Sequence, residues 1–475
     1  MQAFAIPCRE PELYRQNRQK CFSPISNNSL APTDTPNSPI GTVFETYSLG
    51  MNLRKHSPFH FVSRVLLAAA IGFVAGCAEK QSAHEFTEEP EAHQPTASRL
   101  VRTDVSFSES ENSDRVQGLS ESHQEKSLVH PISQGSILGS SDRRPPVLAV
   151  RLQDNTLFGV PIGLFSDQTL LMTSDGSIQR VRNTDIVQQA LLKDRFQSID
   201  RNELAQQLRA EFGRNYLVRS DSPYIIVARS GHIDVWSQRF RSLHHSFKLY
   251  CSTHGLPTRE IEFPLVAIVF GSRSEFLRYA DTSGVKLPDF CVGYYFTDSN
   301  RILLYESPES SKMETQNTIC HEATHQLAFN MGLHQRRAST PLWLIEGLAT
   351  MFESPRLSGL QSREGKSLWP ASRKDAWGKI SKRPESIQRV VESLIHNDLA
   401  FESDFDNAYA IAWAMTTYLS QRRSQQFGPY LQRVGNLPPF QEYNASLRVG
   451  DFQSAFGIDA RLLTSKIMTY LEALE

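Results

Sequence analysis

His321, Glu322 and His325 stand in the order H-E-x-x-H within CHEATHQLAFNMG, residues 320–332. In a helix, residues i and i+4 lie one turn apart on the same face, so both imidazoles can aim a nitrogen at one ion. Glu322 then sits beside them, placed to polarise a water on that ion rather than to bind it. The neighbouring letters predict such a helix: Ile319, Ala323, Leu327 and Met331 form an apolar stripe, and Gly332 stops it. With 14 histidines in 475 residues, the motif arises by chance in about one such chain in forty, so it needs support from elsewhere. PLWLIEGLATMFE, residues 341–353, supplies it. Glu346 lies 21 positions beyond His325, on what should be the next helix. A zinc ion held by two His and one Glu keeps one position open, which suits hydrolysis.

H-E-x-x-H followed by W-L-x-E-G-x-A resembles the gluzincin metallopeptidases, which include thermolysin-like and aminopeptidase-N-like enzymes. The run LWLIEGLA is nearest the aminopeptidase form. The order of a tether, an α/β lobe, HEATH and W-L-x-E-G is also similar to that of uncharacterised bacterial lipoproteins with a peptidase-MA-like domain. The core of the likeness covers about 300–355 and a weaker part 215–475. It implies that His321, His325 and Glu346 bind zinc and that Glu322 is the general base. It also implies a tyrosine, some sixty residues past the Glu ligand, as a donor to the oxyanion. Tyr409 lies 63 positions past Glu346. It also sits in an apolar helix with Trp413, so a core tyrosine is an equal reading, and Tyr418 is a poorer candidate.

The chain departs from the family in two places. Thermolysin-like enzymes carry an Asp four residues after the Glu ligand, which orients a histidine. Thr350 stands there, leaving Glu353, Asp404 or Asp406 as substitutes, and the G-x-M-E-N signature of aminopeptidases is missing. Other zinc classes fit less well. A metzincin needs a third His at 331, which is Met, and His334 comes three residues late. A deformylase-like ligand at Cys291 leaves W-L-x-E-G unexplained. Cys320 reads as a buried thiol. His244 and His245 point about 100° apart on a helix, poor geometry for one metal.

The elements that must position these residues begin at 147. VLAVRLQD, TLFGVPIGLF, TLLMTS and IQRVR are short β-rich runs between turn signals. They suggest a small SH3-like β-barrel over 146–190, a spacer or docking module without catalytic chemistry. A helix over 200–212, the strand YIIVARS, a helix through Trp236, Phe240, Leu243 and Phe247, and the strand PLVAIVFGS follow. After a further helix at 274–280 comes the strand RILLYES, then HEATH and a mostly helical remainder. Strands followed by helices point to an α+β fold, and the resemblance implies a gluzincin core over 198–475. It further implies that substrate pairs with an edge strand, for which 300–307 has the right place, with Tyr294 and Tyr295 either overhanging it or merely packing on the sheet.

Upstream, Arg54, Lys55 and Arg64 precede an apolar run at 65–74 that ends in VAGC at Cys77. A basic region, a short apolar run and small residues before a cysteine resemble a bacterial lipoprotein signal, which implies lipidation of Cys77 and a start at Met51. The run is too short to cross a bilayer comfortably. Residues 1–50 then form a non-native upstream extension. Residues 78–145, rich in Ser, Glu and Gln, read as a disordered tether. The six cysteines form no C-x-x-C pair, and among Cys251, Cys291 and Cys320 one disulfide is conceivable in an exported domain. A net charge of −1 argues against a general nucleic-acid binder. The expectation is thus a cell-envelope, lipid-anchored zinc peptidase acting on a peptide or protein. The alternative is an inactive gluzincin-fold binding or scaffold lipoprotein.

Overall fold

Alternation of apolar and polar letters builds the first unit. A computed structural model describes residues 144–474 apart from 230, 289–290, 307–311 and 360–366, together with Phe4–Ala5 and His130–Pro131. All of these belong to one compact unit. Apart from Phe4–Ala5, the expected extension lies outside the described residues, as do the signal segment, Cys77 and nearly all of the tether. No described helix is long and apolar enough to cross a membrane.

Five strands, β1 (Pro146–Arg151), β2 (Thr156–Leu164), β3 (Gln168–Met172), β4 (Ile178–Arg182) and β5 (Gln188–Arg195), pair antiparallel in the order β4-β3-β2-β1-β5. One face buries Val160, Ile162, Leu170, Met172 and Ile178 with Phe196 and Phe263, and the other buries Val150, Leu171 and Val181. The β3–β4 turn falls at Asp175-Gly176, where Gly176 takes φ +80°, a conformation that glycine adopts without strain.

After α1 (Arg201–Phe212), capped by the Asp200 carboxylate, come β6 (Tyr216–Asp221), β7 (Tyr224–Arg229), α2 (Ile233–Thr253), β8 (Leu265–Phe270), α3 (Arg273–Thr282), β9 (Gly293–Phe296) and β10 (Arg301–Tyr305). The sheet order is β9-β10-β8-β7-β6, with β7, β8 and β10 parallel and the two outer strands antiparallel. Successive side chains on a strand point to opposite faces. Ile225, Val227, Val266, Ile268 and Leu303 therefore pack with α1 and α3, while Ile226, Ala228, Ala267, Val269 and Ile302 pack with α2 and the later helices. Burial on both faces explains why these strands read as unbroken apolar runs.

The segment expected to be the substrate edge, 300–307, is not an edge: β10 lies between β8 and β9. The four-residue β9 stands outside it, and Phe4–Ala5 pairs antiparallel with its outer side. Neither β9 nor β6 was evident from the letters.

The remaining chain is helical: α4 (Lys312–Asn330), α5 (Leu342–Phe352), α6 (Pro355–Ser358), α7 (Ala371–Ile380), α8 (Pro384–His396), α9 (Ala400–Ser403), α10 (Phe405–Arg422), α11 (Ser424–Gly435), α12 (Ala445–Phe456) and α13 (Ala460–Glu472). Two sheets and a helical second half make the chain a mixed α and β fold, compatible with the expected α+β class. Every residue of α5 from Trp343 to Phe352 is buried, so this helix runs through the core rather than over it.

Candidate metal centre

Helix α4 is pinned to the sheet by its polar residues. Gln326 Nε2 donates to the carbonyls of Val266 and Asn300 at 3.2 and 2.7 Å, and Asn330 Nδ2 donates to Asn300 Oδ1 at 2.8 Å. Asn300 itself holds φ +57°, a conformation Asn tolerates better than most residues, and its Oδ1 also accepts from the Tyr295 hydroxyl. Gly332, at φ +82°, ends the helix region as the letters suggest. This anchoring fixes which face of α4 turns toward α5, and that face carries His321 and His325.

The structure brings together the three expected ligands. One ligand atom from each of His321, His325 and Glu346 lies within 4.8 Å of the other two, and all three residues are buried. Glu346 Oε2 is 3.1 Å from His321 Nε2 and 3.7 Å from His325 Nε2. Glu322 lies alongside, fully buried, with Oε2 accepting from the Tyr295 backbone N–H of β9 at 2.7 Å. Its Oε1 has no hydrogen-bond partner among the described residues. A buried carboxylate oxygen is costly to leave unbonded, so this oxygen is suited to receive a proton or a water.

Of the three carboxylates that could replace the missing Asp, the fold selects Glu353. It is the C-cap of α5, and its Oε1 lies 2.7 Å from His321 Nδ1. An imidazole that donates through Nδ1 presents its Nε2 lone pair outward, as a ligand must. Asp404 is engaged elsewhere, with Asn407.

Tyr409 joins the same cluster. It is buried, its ring centroid is 6.4 Å from that of His321, and burial together with the nearby Glu346 carboxylate pushes its phenol well above the ordinary value. Tyr418 packs instead on Tyr470, away from this group. Gly347, the glycine of W-L-x-E-G, lies where α5 meets α10. A Cβ there would be 2.2 Å from Thr416 Oγ1 and 2.5 Å from the Ala412 carbonyl oxygen.

Electrostatics follow from burial. Loss of water pushes the Glu322 carboxyl up to about 8, partly offset by His321 and the Tyr295 N–H. Burial opposes charge on His321, but hydrogen bonds and charges from Glu346 and Glu353 outweigh it and raise its imidazolium to about 10. Burial likewise opposes ionisation of Glu346, yet the two histidines hold it far below the carboxylate range. His321 and Glu346 shift in opposite directions because each stabilises the charged form of the other. Two imidazole nitrogens and one carboxylate oxygen gathered at one buried point are a donor set that fits a divalent cation.

Other candidates fall away. Cys251, Cys291 and Cys320 are buried thiols and no disulfide joins them, so the conceivable bridge is not formed. None belongs to the metal group. His334 is buried against Phe329 outside it, and His245 is exposed. Two participants escaped the sequence reading: the Tyr295 backbone and Arg373, which reaches Glu353 from α7. No local pattern marks either one.

Residues 315–441 match a family model described as a protein of unknown function (DUF1570). That stretch contains all the residues of the centre from α4, α5, α7 and α10. No curated protein matches the chain.

Proposed function

We propose that this protein is a zinc-dependent peptidase of gluzincin type, exported and held at the cell envelope by a lipid on Cys77. The observation that carries the reading is the buried His321–His325–Glu346 group with the unfilled oxygen of Glu322 beside it. A pure scaffold has no use for Glu322: the residue binds no metal in this arrangement, and burying its carboxyl is costly.

His321, His325 and Glu346 would hold the ion, which when bound supplies a Lewis acid that polarises the scissile carbonyl and the attacking water. The chain's own residues do the rest. Glu353 fixes the His321 ring through Nδ1. Glu322 takes a proton from the attacking water at Oε1 and delivers it to the leaving amine, while its Oε2 stays fixed on the Tyr295 N–H. Tyr409, whose ring stands 6.4 Å from that of His321, donates its hydroxyl to the developing oxyanion. The outer edge of β9 is the strand on which a peptide substrate would pair, a reading supported by the antiparallel pairing of the chain's own Phe4–Ala5 there. The small antiparallel unit, five strands around two apolar clusters, is read as an SH3-like barrel.

Two variants test the assignment. Glu346→Ala leaves two protein ligands and should lose zinc. Glu322→Gln should keep full zinc, because all three ligands remain, yet lose peptide hydrolysis by about three orders of magnitude. Zinc stoichiometry and peptide turnover on both proteins decide the matter. Full occupancy in the Glu346 variant, or undiminished hydrolysis in the Glu322 variant, rules the mechanism out.

A further inference from the structure

Arg373 lies in the first turn of α7, on neither of the two motif helices. It is nine-tenths buried. Its Nη2 is 3.8 Å from Glu353 Oε1, the same oxygen that lies 2.7 Å from His321 Nδ1. The guanidinium carbon also sits 4.8 Å over the ring of Tyr409, whose centroid is 6.4 Å from that of His321. One side chain therefore touches two arms of the centre: Glu353, which reaches the ring of the His321 ligand, and Tyr409 of α10, which stands beside that same ring.

We propose that Arg373 is a positioning residue that holds Glu353 and Tyr409 in register across the metal centre; the proposal rests on the peptidase reading above. A guanidinium is planar, so it can lie flat on an aromatic face while directing an N–H in its plane toward a carboxylate. The surroundings keep this arrangement dry. Phe401 and Phe405 pack on Tyr409 at centroid distances of 5.2 and 4.5 Å. Trp369, just before α7, packs on Trp413 of α10 at 4.7 Å and on Trp377 of α7 at 6.1 Å. Those contacts lock α7 to the helix that carries Tyr409. An exposed ion pair of this length would contribute little, but here both side chains are largely buried, at 11% and 3% exposure. Freed of Arg373, the Glu353 carboxylate could rotate away from His321, and the Tyr409 ring would lose the cation on its face.

The two arms separate experimentally because Lys replaces the charge but not the plane. Arg373→Met keeps the stem and removes both contacts. Zinc affinity, measured by competition with a chromophoric chelator, should fall about 10-fold, and kcat about 10- to 100-fold with little change in KM. Arg373→Lys should recover zinc affinity through Glu353 but not kcat through Tyr409. Cobalt-substituted Arg373→Met should show a shifted visible spectrum relative to the parent, since the ligands lose their fixed orientation. A merely structural role would leave that spectrum unmoved. Arg373→Met with parental zinc affinity, spectrum and kcat overturns the proposal while the peptidase reading stands. If that variant does not fold, parental kcat in Arg373→Lys overturns it instead. A parent protein that binds no zinc and cleaves no peptide overturns the peptidase reading, and this proposal with it.

Discussion

Gly347→Ala adds one methyl group at the tightest approach between α5 and α10. That methyl would stand 2.2 Å from Thr416 Oγ1 and 2.5 Å from the backbone oxygen of Ala412, where ordinary contact begins near 3.4 Å. Thr416 can rotate its hydroxyl away, but the Ala412 carbonyl is part of α10 and moves only with the helix. The two helices must therefore separate by roughly 1 Å, and overpacking of this kind costs about 1–3 kcal/mol. The functional consequence is sharper than the loss of stability. Glu346 is the residue just before Gly347, and Tyr409 sits on α10 one turn before Ala412. If Glu346 is the proposed ligand and Tyr409 the proposed oxyanion donor, a displacement of about 1 Å between them is expected to reduce kcat/KM about 100-fold. Thermal unfolding and peptide turnover would be measured on Gly347→Ala and on Gly347→Ala/Thr416→Ala. Removing the threonine hydroxyl should restore little, because the clash with the Ala412 carbonyl persists. A single variant with parental stability and turnover, or a double variant that regains both, would refute the packing argument.

Tyr409→Phe should keep the fold and the zinc while losing about 2–4 kcal/mol of transition-state stabilisation, read as a fall in kcat; unchanged kcat would return this tyrosine to the core. Asp221 supplies a prediction on acid stability. Partial burial disfavours its charge, but hydrogen bonds from Arg241 and Ser237 and the charges of Arg241 and Arg219 prevail, holding it below the ordinary range. A carboxyl depressed on folding contributes stability that is complete above its unfolded pKa, about 4, and disappears as pH falls through the lower folded value. Asp221→Asn should therefore be less stable than the parent at pH 7, with the gap closing as the pH falls below the unfolded carboxyl range in denaturant titrations. A gap independent of pH would sink the assignment.

The metal group was legible because its residues are local or sit in a motif: i and i+4 on one helix, then a glutamate inside a patterned run. Glu353 was not selectable from the letters, since three carboxylates had comparable reach. The choice is made by the end of α5, which places its cap under His321. Arg373 carried no signal, because its partners lie 20 and 36 positions away on other helices. Strand existence was read well where both faces are buried, as in β7, β8 and β10. Strand order was not, because periodicity says which way side chains point and nothing about neighbours. β9 was missed for its length: four residues give too short a pattern, and only pairing with β10 defines them.

The five-stranded unit reads in the sequence as a spacer, yet its contacts tie it to the centre. Arg336, just past α4, donates to the Gly176 carbonyl of the β3–β4 turn at 2.7 Å and to the Thr297 carbonyl after β9 at 3.0 Å. The Ile178 N–H of β4 donates to the Asp298 carbonyl at 2.6 Å, and Arg337 pairs with the Asp298 side chain. Residues 297–300 are the turn between β9 and β10, and Asn300 at its end is the anchor of α4. One four-residue turn thus fixes three things at once: the strand that clamps Glu322, the helix that carries both histidines, and the β unit. Surface turns are ordinarily the softest part of a hairpin, and this one is held from both sides by buried hydrogen bonds. The same turn keeps the Tyr295 N–H fixed against Glu322. By holding that turn, the small β unit becomes part of the frame of the site rather than an appendage to it.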